Sequence, residues 1–436
     1  MLCSRFLAIM FGLLSSLVLL DLPALAQEKA PVNEKLALPS SDEGLPGAGP
    51  IRRVKWFQDT WLTRRSEFAG DAPGKQGSVV FFGDSITQGW GDRLSREFPG
   101  VNIANRGISG DTTRGMLIRM DDDVLALKPA AVVMLMGTND LQEQAEPATI
   151  AANIKLIIDK LKAHNAKVPI ILCNVMPSSA TKQRPADKIQ SLNKLMFEAV
   201  KGDPQITVLD TWTLFASVEG DAKVEEFTDL LHPNDAGYAK WAASIRPLFA
   251  TLGLVETQAD TFQLEPGFES LFNGRDLTGW GFRQDAKGKG RNANFEGQSA
   301  SDDARYVAKH GRLVVTTPPE GRRIQQLWTT REFDKDFTLK LEFRATPNAD
   351  SGIFIRAPQL QCRDYPLAGP YKELKKYKPQ DWNEVVVEVK GGVAHCTCNG
   401  EVLEAEFKVP PTGPIGLEGD RGQMEYRRIR IQQHPR

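Results

Sequence analysis

In the first half of the chain, short continuous apolar runs alternate with stretches where apolar residues recur every three or four positions. Val79–Phe82, Val101–Ala104, Ala131–Met136, Ile170–Val175 and Ile206–Leu209 are of strand length and lack the apolar–polar alternation of a half-exposed strand. Such runs belong to strands covered on both faces, as in a parallel sheet. Between them the spacing is helical: Val54, Phe57 and Trp61 in a first helix from Ile51 to about Phe68; a short helix through Leu94 and Phe98; Met116, Leu117 and Met120; Ile150, Ile154, Ile157, Ile158 and Leu161; and a helix around Ile189–Val200. A last helix follows Asp229–Pro233. Right-handed crossovers put every strand's carboxyl end on one rim. The polar clusters that begin at Gly83, Asn105 and Gly137 each follow a strand, so they converge there.

Past about Leu254 the pattern changes. Arg312–Thr316, Phe337–Phe343, Gly352–Arg356, Val385–Val389 and Arg427–Ile431 are short β-type runs broken by Gly, Pro and Asn-Gly turns. Asn399-Gly400 has the form of a hairpin turn. This half predicts an all-β sandwich of jelly-roll or lectin type. No internal repeat is visible.

Composition sets the boundaries. A chain of 436 residues exceeds one ordinary core, so two domains with appendages are expected. Arg5 precedes an apolar run, Phe6 to Leu20, then Pro23 and Ala24-Leu25-Ala26, the layout of a secretory leader cut before Gln27. Residues 1–26 are thus expected as signal peptide and 27–50 as a flexible spacer. An α/β domain over 51–254, a linker over 255–267 and a β-sandwich over 268–436 follow. The expected location is secreted or periplasmic, without stable membrane insertion once the leader is gone. Lys plus Arg number 54 against 55 Asp plus Glu, which lacks the basic footprint of a nucleic-acid binder. Cys173 sits in a strand-like run, and Cys362, Cys396 and Cys398 lie in the last third, where one bridge from Cys362 is open. Cys396 and Cys398 share one strand face and His395 takes the other, and the second ligand pair of a zinc site is missing, so no metal is expected.

The chemistry centres on Val79-Val80-Phe81-Phe82-Gly83-Asp84-Ser85. A serine at the carboxyl end of a parallel strand sits where ligands bind and where free helix N–H groups favour negative charge. Asp84 and Ser85 could equally cap the next helix. A serine nucleophile needs a base, usually histidine. Of five histidines, His310, His395 and His434 fall in the β half, and His164 lies on a polar helix end. His232 remains, three residues after Asp229, a spacing that lets one turn hold the imidazole. The backbone N–H groups of Ser85 and Gly107 and the side-chain amide of Asn139 could form an oxyanion hole. Read singly, Gly107 is a turn glycine, Asn139 a helix cap and His232 a surface residue; together they make one site.

Gly83-Asp84-Ser85, Gly107, Gly137-Thr138-Asn139-Asp140 and Asp229-x-x-His232 resemble the four blocks of the SGNH (GDSL-type) hydrolases, in order, over roughly Ile51 to Leu254. The resemblance implies a flavodoxin-like three-layer α/β domain. It also implies Ser85 as nucleophile, His232 as base, Asp229 as its partner, and Gly107 and Asn139 as oxyanion donors, with no cofactor. It is strongest to the branch with platelet-activating-factor acetylhydrolase catalytic subunits and bacterial carbohydrate esterases.

The β half is similar to the 3-keto-disaccharide hydrolase domain, a concanavalin-like sandwich. The matching stretches are Leu271-Phe272-Asn273-Gly274, Asp350-Ser351-Gly352-Ile353-Phe354-Ile355-Arg356, Trp382-Asn383-Glu384 and Pro414-Ile415-Gly416-Leu417-Glu418. Arg356, Gln359 and Asp364 are the candidate saccharide residues there. Gln359 stands where that family commonly has an acid, which argues against hydrolysis by this half. Trp280, Trp328 and Trp382 read as core anchors rather than sugar platforms. The expected activity is acyl transfer through Ser85 on an acylated saccharide or another small ester, first of all removal of acetyl groups from a glycan. The competing readings are a lipid acylhydrolase or lysophospholipase, a bifunctional esterase and 3-keto-glycoside hydrolase, and a binding protein whose β half does the work. The sequence leaves the oligomeric state open.

Overall fold

The computed structural model describes residues 34–200, 203, 205–255, 261–285, 287–316, 325–420 and 422–434; the leader expected over 1–26 lies outside them. The front half runs α1 (Lys55–Asp71), β1 (Val79–Gly83), α2 (Ser85–Gln88), α3 (Arg93–Glu97), β2 (Ile103–Gly107), α4 (Thr113–Asp123), β3 (Ala131–Leu135), α5 (Thr138–Gln142), α6 (Pro147–His164), β4 (Ile170–Cys173), α7 (Ala186–Val200), β5 (Ile206–Leu209), α8 (Thr211–Phe215) and α9 (Asp235–Thr251). The five strands are parallel in the order β2-β1-β3-β4-β5. This is the flavodoxin-like order, whose ligand crevice lies outside the carboxyl ends of β1 and β3, where the strand order reverses.

Each strand feeds two cores because successive side chains point to opposite faces. Val80, Phe82, Val132 and Met134 pack under α4, α6 and α7 with Met116, Met120, Ile154 and Leu192. Val79, Phe81, Ala131 and Val133 pack under α9 with Trp90, Trp241 and Phe249. That double coverage explains the continuous apolar runs.

Residues 35–50 depart from the flexible spacer expected of them. The carbonyl of Leu36 accepts from Trp61 Nε1 at 3.0 Å, and Ala48 exchanges bonds of 3.1 and 2.7 Å with the Asn153 amide. Arg114 Nη1 reaches Asp42 Oδ2 and the Gly49 carbonyl. The Pro- and Gly-rich composition that denies this stretch a helix leaves its backbone groups open to side chains of α1, α4 and α6.

The rear half runs β6 (Glu269–Ser270), β7 (Trp280–Phe282), β8 (Ala293–Asn294), β9 (Tyr306–Lys309), β10 (Arg312–Val315), β11 (Leu327–Thr329), β12 (Phe337–Ala345), β13 (Gly352–Ile355), β14 (Gln359–Gln361), α10 (Tyr365–Ala368), β15 (Asn383–Lys390), β16 (Val393–Cys398), β17 (Glu401–Lys408), β18 (Ile415–Leu417) and β19 (Met424–Gln433). One antiparallel sheet has the order β17-β16-β15-β12-β19-β10-β9 with β6 beside β19; the other has the order β14-β13-β18-β11-β7-β8. Their inner faces enclose one core, in which Cys362, Cys396 and Cys398 are buried and unbridged. Asn399 and Gly400 both take positive φ, 48° and 78°, and turn β16 into β17.

The halves meet at the end of α9. Arg344 Nη2 donates to Glu425 Oε2 at 2.5 Å and to the Pro247 carbonyl at 3.1 Å, and Thr251 Oγ1 also bonds Glu425. All three side chains are buried. The guanidinium thus meets both a carboxylate and a carbonyl near the C-terminal end of a helix, where positive charge is favoured.

Candidate active site

β1 ends at Gly83, and Asp84 caps the short helix that follows: its Oδ1 accepts from the Ile86 N–H at 2.9 Å. The capping role therefore belongs to Asp84, leaving the Ser85 hydroxyl free for other work. Ser85 Oγ lies 2.9 Å from His232 Nε2, and His232 Nδ1 lies 2.7 Å from Asp229 Oδ2. Asp229 Oδ1 accepts from the backbone N–H groups of Leu231 at 3.0 Å and His232 at 2.7 Å. Leu230 makes this grip geometrically feasible by adopting φ 61°, which folds the turn back on itself. Partial burial pushes the Asp229 carboxyl up, but the hydrogen bonds from His232 and Leu231 outweigh it and hold the carboxyl below its ordinary value. A carboxylate on Nδ1 puts that ring proton on Nδ1 and leaves Nε2 as the acceptor of the serine proton.

Two of the three expected oxyanion donors are open. The Ser85 N–H makes no hydrogen bond to another described residue. Asn139 is held by both ends of its amide: Oδ1 accepts from Arg184 Nη2 at 3.2 Å, and Nδ2 donates one hydrogen to the Asp111 carbonyl at 3.0 Å. Its second amide hydrogen stays available. Gly107 is the exception and requires correction. Its N–H is taken by the Asn105 side chain at 3.0 Å. The glycine is needed there for space, since a Cβ would lie 2.2 Å from the Gln88 nitrogen of α2. The open amide of that loop belongs to Gly110, at φ +84°, next in chain to Asp111.

Sequence reasoning missed Arg184, which stands in no motif, before α7. It donates to the Thr138 carbonyl at 3.0 Å and to Thr138 Oγ1 at 2.9 Å as well as to Asn139, so it fixes the whole turn after β3. It missed Arg119 too. This fully buried side chain bonds the carbonyls of Gly83 and Arg106 at 3.1 and 2.9 Å and ties the ends of β1 and β2 together. Its Nε pairs with Asp111 at 2.7 Å. Burial pushes the carboxyls of Asp84 and Asp140 up to about 6 and that of Asp111 up to about 7, against the pull of their hydrogen bonds and of Arg119. The turns around Ser85 thus rest on three buried carboxyl groups that hold their protons to higher pH than ordinary carboxyls do.

The rear candidates do not form one site. Arg356 is buried, with its guanidinium on the carbonyls of Pro410 and Lys335, and Asp364 is buried under the N–H of Asn348 and the hydroxyl of Tyr377. Both hold loops in place. Gln359 alone faces outward, bonded to Glu418. Trp280 is a core residue as expected, but Trp328 is not: Leu327 and Thr329 take the inner face of β11, so Trp328 points out. Among the described residues no group of three or more His, Cys, Asp and Glu side chains is arranged to hold a metal ion, and no helix is long and apolar enough to cross a membrane.

Residues 81–240 match the GDSL-like Lipase/Acylhydrolase family, and residues 267–432 match the 3-keto-alpha-glucoside-1,2-lyase-like domain. The human platelet-activating factor acetylhydrolase IB subunit alpha2 is 28% identical over 197 residues, 44% of this chain and 85% of that protein. The alpha1 subunit of Rattus norvegicus is 27% identical over 214 residues, 47% and 91% of the two chains. Among solved structures, a GDSL-like lipase from Bacteroides thetaiotaomicron is 27% identical with a TM-score of 0.38, covering 42% of this chain and 96% of that one. With the parallel sheet and the serine at its rim already in place, the matches settle the family of each half: the chain joins a GDSL-like lipase/acylhydrolase domain, a hydrolase acting on esters, to a 3-keto-alpha-glucoside-1,2-lyase-like domain.

Proposed function

We propose that the front domain removes acetyl groups from a saccharide by two-step acyl transfer through Ser85. The observation that carries this reading is the unbroken line from Ser85 Oγ through the His232 ring to Asp229, with bonds of 2.9 and 2.7 Å. Ser85 Oγ attacks the ester carbonyl while Nε2 takes its proton. The negative charge that develops on the carbonyl oxygen meets the N–H groups of Ser85 and Gly110 and the free hydrogen of Asn139 Nδ2. On collapse the C–O bond to the alcohol breaks, and the imidazolium gives the leaving oxygen its proton. Water then attacks the acyl-Ser85 carbonyl by the same route, with Nε2 again taking the proton, and acetate leaves.

Two observations favour an acetylated sugar. The curated relatives of the front domain are named for removing an acetyl group, and the rear domain's family is named for a glucoside. The rear domain also presents a surface fit for a saccharide. Gly281, Trp328, Gly416, Phe354 and Gln359 form one cross-strand row on the outer face of the smaller sheet. A Cβ on Gly416 would fall 2.6 Å from the Trp328 ring, so the indole lies across that strand beside Phe354, 5.1 Å between ring centroids. Glu418, bonded by Gln326 and Gln359, borders the rings with groups that can take sugar hydroxyls. We read this row, and not Arg356 or Asp364, as the saccharide contact of the rear domain. The leader pattern of residues 1–26 supports export, to where polymeric glycans lie.

Acetate release from acetylated polysaccharides and from acyl lipids, measured for the full chain and for Ser85→Ala, tests the proposal. Acetate from the glycan in the wild type only is the expected result. Turnover confined to long-chain lipid esters, or unchanged in Ser85→Ala, refutes it.

A further inference from the structure

The helix that opens the front domain carries a tryptophan that the fold leaves half in solvent. Trp56 is 51% exposed, although its neighbours Phe57 and Trp61 are buried in the core beneath α1. Its place is not arbitrary. A Cβ built on Gly110 would lie 2.6 Å from the far edge of the Trp56 ring and 2.8 Å from Arg52 Nη1. The ring and the guanidinium therefore pack directly on the loop that carries Gly110, whose N–H bonds no other described residue.

Trp56 is also fixed. The Arg52 guanidinium lies 5.6 Å from its ring centroid, and Phe57 meets it edge-on at 5.8 Å. Arg52 Nε bonds Glu143 Oε1 at 2.8 Å, and its Nη2 bonds Gln142 Oε1 at 3.0 Å. The same Gln142 oxygen accepts from Arg184 Nη2 at 2.9 Å, the nitrogen that orients Asn139. A continuous wall thus runs from the exposed ring through Arg52, Gln142 and Arg184 to the oxyanion donor. A flat apolar ring rimmed by a guanidinium, an amide and a carboxylate matches a pyranose, which is apolar on its C–H faces and polar at its edge. An extended acyl chain would want a buried apolar groove, which this rim does not supply.

We propose that Trp56 is the platform on which the sugar ring bearing the acetyl ester stacks, and that Arg52, Gln142 and Glu143 contact its hydroxyl edge. This rests on the reading of Ser85 as the nucleophile of an acetyl ester hydrolase. Trp56 is a specificity residue: it holds the alcohol half of the ester while the chemistry proceeds at Ser85.

The test compares two acetate esters, ethyl acetate and a mono-acetylated methyl glucopyranoside, in the full-length wild type, Trp56→Ala and Trp56→Phe. Loss of one aromatic stacking surface raises the KM for the sugar ester about five- to tenfold in Trp56→Ala, with kcat changed less than about twofold. The preference for the sugar ester over ethyl acetate, taken as the ratio of the two kcat/KM values, falls about five- to tenfold because ethyl acetate has no ring to stack, and Trp56→Phe recovers most of that ratio. Equal effects on both esters, or none on either, overturn the platform. A wild type that turns over ethyl acetate but prefers it to the sugar ester overturns the saccharide assignment alone. A wild type inert on both overturns the ester reading beneath it.

Discussion

Asp84 supplies the most quantitative prediction. Its carboxyl is fully buried one residue before Ser85; Oδ1 caps α2, and Oδ2 has no hydrogen-bond partner. Burial lifts its pKa from 3.8 to about 6. Below pH 3.8 the group is protonated in both the folded and the unfolded chain. As pH climbs toward 6 the unfolded chain releases the proton and the folded chain keeps it, so the stability this residue contributes in acid is lost across that window. Two pKa units of difference amount to about 3 kcal/mol at neutral pH. Asp84→Asn keeps the cap oxygen and removes the charge, at a cost of about 1 kcal/mol for amide hydrogens without acceptors. The variant should therefore be more stable than the wild type by about 2 kcal/mol near neutrality, a rise in Tm of roughly 4–8 °C for a domain of this size. Near pH 4 the advantage should vanish and the order should reverse slightly. Thermal unfolding followed by circular dichroism from about pH 4 to 8 reads this, because groups remote from Asp84 titrate alike in the two proteins, and loss of its charge only eases the neighbouring Asp111 and Asp140. A Tm difference that stays constant over that range would show that Asp84 is ionised in the folded chain at all these pH values and would sink the argument.

Two further outcomes follow from the geometry. Gly107→Ala forces a methyl group against the Gln88 nitrogen at 2.2 Å and the Asp84 carbonyl at 2.8 Å. It should cost about 1–3 kcal/mol of stability and, by tilting α2, lower ester hydrolysis by about tenfold or more. A variant that keeps both its Tm and its activity would show that the glycine is not required there for space. In the rear domain, Trp328→Ala removes one of two adjoining rings and should weaken retention on an immobilised polysaccharide by about tenfold. Retention should be unchanged in Arg356→Lys if that guanidinium only secures a loop, and a loss in that variant alone would reverse the assignment.

Much of this was legible in the chain. A strand buried on both faces writes itself as an unbroken apolar run, so β1 to β5 and the rim where their ends converge follow from pattern alone. The grouping of Ser85, Asp229 and His232 was readable because two of them lie three residues apart and the third follows a strand. Arg184 was not, since its role is defined by bonds to Thr138 and Asn139 some 45 positions away and by no local spacing. Gly107 was misjudged for a related reason. Gly107 and Gly110 share a loop, and only the Asn105 side chain, folded back on its own strand, decides which amide is left open. The bonds that pin residues 35–50 were equally invisible, because carbonyls do not vary with sequence. Trp328 needed the register of β11 against β18, which three residues of strand cannot announce.

The contact of Arg344 and Thr251 with Glu425 has a consequence for how the whole chain would handle a polymer. Two modules on a slack tether sample many separations, whereas these two are bolted through the end of α9. If the aromatic row grips one stretch of a glycan, Ser85 can reach only substituents a set number of units along it. The enzyme would then act as a caliper, leaving a spaced pattern of bare positions rather than a random one.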